Sequence, residues 1–347
     1  MQEAPPRSAT LDLLTGVIGL WLAAGFSADG WAHLHVAVEN FFTPYHAIFY
    51  AAMATGAVVF IVTALRNRAR GYHGFNLLPA AYRLPLLGIP LFFIGGFLDL
   101  IWHSIFGVEE RVEAVTSPTH MVIVLGIFLV LSGPIRSALA SRRELRTLVD
   151  QLPVLFTLAT WLEFVHLGTA YAFDPSAALI YRPPNEILYS PDLFTNITMV
   201  SYKTGAGIAI VILQTFILMG FATWLVSHFA LRPGAMTVFF VLGNGMMAAS
   251  ITNDTPLFAT YVAMSVVGGI AADLIIARSG GDALAGRPLH VFGFVVPIVY
   301  YATYFGVTIA TGGTWWDAPL IGGALGWAGL VGAAVTSLVP SGGIMHA

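Results

Sequence analysis

Ten apolar runs, each close to the thickness of a lipid bilayer, constrain this chain more than any other feature. They cover about residues 10–34, 42–65, 84–106, 118–140, 153–173, 203–230, 234–252, 255–277, 289–310 and 318–339. A spanning helix needs roughly 20 apolar residues. In lipid a helix satisfies its own backbone hydrogen bonds, which an isolated strand cannot do. The runs therefore predict an all-α fold: a polytopic integral membrane helix bundle of about ten transmembrane helices. Composition agrees, since 57% of the residues are hydrophobic and 10% charged, against about 25% charged in soluble domains. The first run reads as a retained spanning helix, not a cleaved leader. A net charge of −3 without a basic stripe argues against nucleic acid as a partner. The chain has no cysteine, so disulfides, iron–sulfur clusters and thiolate metal sites are excluded.

Loop charge predicts orientation. With a cytoplasmic N-terminus, that side receives twelve cationic residues: Arg7, Arg66, Arg68, Arg70, Arg83, Arg136, Arg142, Arg143, Arg146, Arg232, Arg278 and Arg287. The other side receives Arg111, Arg182 and Lys203. The positive-inside rule then places both termini in the cytoplasm. Most of the acids and histidines fall on the outer side, and Asp273 is the main acid near an inner helix end.

Those outer groups are patterned. Asp29 and His33 are four residues apart at the end of the first span, on one helix face. Thr43-Pro44-Tyr45-His46 then opens the second span, with Thr as cap and Pro in the first turn. Asp99 and His103 repeat the four-residue spacing, and Ser117-Pro118-Thr119-His120 repeats the cap, Pro, any residue, His order. The aspartates are offset by 70 residues and the final histidines by 74, so the second loop is four residues longer. This predicts an internally repeated helix-loop-helix pair. Two imidazoles and a carboxylate form a donor set for copper, zinc or iron, and ionisable groups near a bilayer are costly unless paired. An Asp–His ion pair is the alternative for either triad alone; recurrence in register favours ligands.

The triads resemble those of the copper-binding membrane chain of the copper membrane monooxygenases, the particulate methane and ammonia monooxygenases. That family carries Asp-x3-His-x12-His with the last His in a Phe-Thr-Pro-Ser-His-like stretch, matched here by Asp29, His33, His46 and Phe42-Thr43-Pro44-Tyr45-His46. The family's second triad begins with Asn; Asp99, His103 and His120 correspond to it, with Asp in place of Asn. The resemblance covers about residues 20–130. It implies copper at both triads, ahead of zinc or iron, and an oxygen-dependent monooxygenase acting on a small apolar substrate. It also implies a homo-oligomer or other membrane subunits, in a bacterial inner (plasma) membrane with the metal sites on the outer side. The spans after about residue 153 have no counterpart in that family. A copper transport, storage or delivery protein, or an accessory subunit, is the alternative.

Further ligands are expected from Glu109, Glu110 and Glu113 in the second loop, and from Glu163 and His166, which share a face of the fifth span. For that last pair a buried Glu–His hydrogen bond is the competing reading. Residues 174–197, rich in Pro, Tyr and Leu, read as a lid. Asp254 reads as a helix cap, and Trp315-Trp316-Asp317 as an interfacial belt. The expected division is a duplicated four-helix metal-binding unit, 1–152, and a six-helix unit, 153–347.

Overall fold

The computed structural model describes residues 3–36, 42–107, 116–141, 145–169, 193–251, 255–280, 282–311 and 313–340, with the side chains of 33–35, 167, 193–199, 247, 249–251 and 255–256 left out. The described residues form ten α-helices and two short 3-10 turns, Gly74–Asn76 and Ala80–Tyr82. The helices are α1 Ala9–His35, α2 Pro44–Ala69, α3 Pro85–Phe106, α4 Pro118–Ala140, α5 Leu148–Gly168, α6 Leu193–His228, α7 Ala235–Ile251, α8 Thr255–Arg278, α9 Gly286–Thr311 and α10 Ala318–Ser337. Nine are long and apolar enough to cross a membrane, and α7, with 17 residues, is shorter. The protein is thus an integral membrane helix protein.

The chain divides into two compact units, Met1–Gly168 and Thr169–Ala347. The break falls after α5, not at residue 152: α5 packs against α1 and α4 and belongs with the first four helices. The helix α6 also starts ten residues earlier than the apolar run at 203, so residues 193–197 of the expected lid are helical. The rest of that lid lies outside the described residues, as do Asp254, Glu109, Glu110 and Glu113.

In the first unit the expected caps form. Thr43 Oγ1 accepts from the His46 backbone N–H at 3.2 Å, and Ser117 Oγ accepts from that of His120 at 3.3 Å. Each fixes where its helix starts, so each His is held in a first turn. Close backbone approach then sets the distance between paired helices. A Cβ on Gly95 of α3 would lie 3.0 Å from the Ile123 amide nitrogen of α4. One on Gly25 of α1 would lie 3.0 Å from Phe49 Cα of α2. Such contact lets two membrane helices meet through their backbones. Phe49, Met53, Phe60, Phe92, Ile123 and Ile127 fill the core beneath.

The opposite end of this unit is tied by an acid that sequence reading passed over. Asp12 is fully buried. Its carboxylate accepts from Tyr82 Oη at 2.8 Å, Ser137 Oγ at 2.9 Å and Arg7 Nε at 2.8 Å. It joins the N-terminal segment, α1, the second 3-10 turn and α4, about 25 Å along α1 from Asp29 at 1.5 Å per residue. In the second unit Asp273 of α8 accepts from the Met236 and Thr237 backbone N–H groups at 3.0 and 3.1 Å and from Thr237 Oγ1 at 2.7 Å. It caps the start of α7, which is a structural role.

Candidate metal centre

The second triad assembles. Asp99 sits near the end of α3, with the residue 1% exposed. Its Oδ2 is 3.3 Å from His103 Nε2, one turn on in the same helix, and its Oδ1 is 3.2 Å from His120 Nε2 in the first turn of α4. One donor atom from each of the three residues lies within 4.8 Å of the other two. Two donors at about 2.1 Å from one tetrahedral ion stand about 3.4 Å apart, close to each carboxylate–imidazole separation, although the two imidazoles face different oxygens of Asp99. The two rings have their centroids 5.9 Å apart.

The surrounding bonds fix which atoms face inward. His103 Nδ1 lies 3.1 Å from the Gly107 carbonyl oxygen. A carbonyl only accepts, so Nδ1 carries the proton, and a neutral His103 turns the lone pair of Nε2 towards Asp99. A carboxylate oxygen and an imidazole lone pair 3.3 Å apart repel unless a cation, either a proton or a metal ion, stands between them. Thr119 Oγ1 donates to Asp99 Oδ1 at 2.6 Å and lies 3.2 Å from the capping Ser117 Oγ. The cap of α4 thereby also holds the acid of α3. Such outer bonds orient ligands in metal sites. Thr119 was not singled out in the sequence; its place between Pro and His, one residue before a ligand, was the available signal.

The first triad is looser. His46 Nε2 stands 3.6 Å from Asp29 Oδ2, with side chains 12% and 15% exposed. His46 Nδ1 lies 2.9 Å from Thr43 Oγ1, so here too Nε2 is the atom turned to the acid. His33 is in α1, one turn beyond Asp29, but its side chain is outside the described residues. Where the second site has Thr119, the first has Tyr45, which packs its ring against Trp31 at 6.4 Å.

Glu163 and His166 are buried in α5, at 1% and 2% exposure. Glu163 Oε1 accepts from Ser27 Oγ of α1 at 2.7 Å, two residues before Asp29. The helices α1 and α5 run parallel, with Gly16 against Pro153, Gly19 against Thr160 and Phe26 against Phe164. The pair therefore lies at the depth of the first triad. The glycines complete the repeat, because Gly25 precedes Asp29 by four residues and Gly95 precedes Asp99 by four. In both pairs the glycine meets the residue three beyond the final His, Phe49 or Ile123. The spacing Gly-x3-Asp-x3-His was legible in the sequence and carries the close approach that brings acid and imidazole together.

Compared with protein-family models, with curated proteins and with solved structures, the chain finds no match.

Proposed function

We propose that this protein is a membrane metalloprotein that holds copper through Asp99, His103 and His120, and a second ion through Asp29, His33 and His46. The observation that carries the proposal is the placement of Nε2 of His103 and of His120 on the two oxygens of one buried carboxylate, at 3.3 and 3.2 Å. Two imidazoles and one carboxylate suit copper, zinc or iron. Copper comes first because of the resemblance to the copper membrane monooxygenases.

On the same resemblance the activity is an oxygen-dependent oxidation of a small apolar substrate entering from the lipid. Support for that route is the exposed apolar surface at the end of α3 that carries His103, where Ile105 and Phe106 are exposed. A bound copper ion would supply the redox chemistry with oxygen. Asp99 would offset its charge, and Thr119 and the Gly107 carbonyl would hold the ligands in orientation. The distribution of Arg residues supports placing the sites on the outer side.

A storage, delivery or accessory role is the second reading. Its support is that Asp99 already ties α3 to α4 through Thr119 and His120. The test is the metal content of detergent-purified protein after growth with added copper, zinc or iron. Wild type is expected to carry about two copper ions per chain, and the Asp29→Ala/His33→Ala and Asp99→Ala/His103→Ala variants one fewer each. No stoichiometric metal under any of the three conditions contradicts the proposal. Copper that cannot be reduced and reoxidised supports the second reading.

A further inference from the structure

The second unit contains an uncharged polar seam that the metal reading does not use. Tyr300, Tyr304 and Thr308 follow one another at four-residue steps on α9, on one face of the helix, and all are buried. The Tyr300 ring packs on Gly268 of α8, where a Cβ would lie 3.0 Å from it. Ser265 of α8 lies by Tyr300, and Thr260 and Tyr261, further towards the start of α8, are buried as well. Beside Tyr300, Tyr301 Oη donates to Gln214 Oε1 of α6 at 2.7 Å, near the middle of the spanning part of α6, Val200–His228.

Two groups at the other end of this seam are unsatisfied. Thr308 Oγ1 and Trp316 Nε1 are both buried with no hydrogen-bond partner among the described residues. A threonine in a membrane helix ordinarily returns its hydroxyl to the carbonyl four residues back. Thr303 and Thr311 on the same helix do so, each at 2.8 Å; Thr308 does not. Trp316 is turned inward, with its ring 5.7 Å from Phe305, one turn before Thr308. It is 4% exposed and so is not part of an interfacial belt. Buried polar groups without partners are costly, and ordered water is the usual remedy where several polar groups converge.

We propose that this seam is a hydrated site. Water enters at the end where α9 meets α10, bonds to Thr308 Oγ1 and Trp316 Nε1, and continues past Tyr304 towards the Tyr301–Gln214 bond. The ligand class is a small uncharged molecule that both donates and accepts hydrogen bonds, because the residues named along the seam carry no ionisable acid or base other than phenols. Hydroxyl-radical footprinting of the whole protein in lipid nanodiscs tests this, since radicals formed from bound water label adjacent rings. Tyr82, fully buried and bonded to Asp12, is the dry reference. Tyr304 is expected to be labelled about tenfold faster than Tyr82, and Thr308→Val to reduce that rate at least about threefold. The variant keeps the side-chain shape and removes only the hydroxyl. Labelling of Tyr304 no faster than Tyr82, or unchanged in Thr308→Val, overturns the proposal.

Discussion

The pairs α1–α2 and α3–α4 are built from the same parts and end in different states. Each has a glycine, an aspartate and a histidine at four-residue steps, then a hydroxyl cap, a proline and a histidine. In α3–α4 the acid is almost wholly buried, bonded by Thr119 and within 3.3 Å of both imidazoles. In α1–α2 the acid is partly exposed and 3.6 Å from His46. One difference between them is the residue before the last His, Thr119 against Tyr45. A short hydroxyl there reaches the neighbouring acid and locks it, whereas an aromatic ring turns to Trp31 instead. The repeat thus supplies two Asp–His clusters, and the residue before the last His is one place where they differ.

The largest break in this comparison is expected from Asp99→Ala. It removes the acid shared by both imidazoles and Thr119, so the α3–α4 ion is lost and the α1–α2 ion retained, by metal analysis. Breaking such a buried polar cluster from one side costs about 3 kcal/mol or more, read as a lower unfolding temperature in detergent. Next comes Thr119→Val, which leaves all three ligands but frees the acid. A fall of about 10- to 100-fold in metal affinity at that site is expected from the loss of such a bond, checked by competition with a chelator. Tyr45→Thr sharpens the comparison from the other side, and tighter binding at the α1–α2 site is the expected outcome. Gly95→Ala forces α3 from α4 and should destabilise by about 1–3 kcal/mol, with Gly25→Ala similar; thermal unfolding of both variants checks that the two contacts are equivalent. The smallest effect is Ser117→Ala or Thr43→Ala, each about 1 kcal/mol through a lost cap, again by thermal unfolding.

The sequence made the spans legible because a bilayer imposes length and apolarity together, and each apolar run holds a helix, although α6 starts ten residues before its run. It made the triads legible because helical spacing places i and i+4 on one face, and because Thr-Pro and Ser-Pro announce helix starts. It did not reveal Asp12, whose partners Tyr82 and Ser137 lie 70 and 125 residues away. Only tertiary packing brings them together. Nor did it assign α5 to the first unit, since that depends on contacts with α1 and α4 rather than on the repeat. Trp316 illustrates the same limit: next to Trp315 it reads as a belt residue, yet its ring is buried against Phe305.

Pulsed EPR of the Asp29→Ala/His33→Ala variant loaded with one equivalent of Cu(II) tests the central claim most directly, because only the α3–α4 site remains. The account predicts modulation from the remote nitrogens of two imidazoles, with the ion bound at Nε2 of His103 and its Nδ1 hydrogen still on the Gly107 carbonyl. A spectrum without imidazole coupling, or with a single coordinated imidazole, would contradict a preformed Asp99–His103–His120 site.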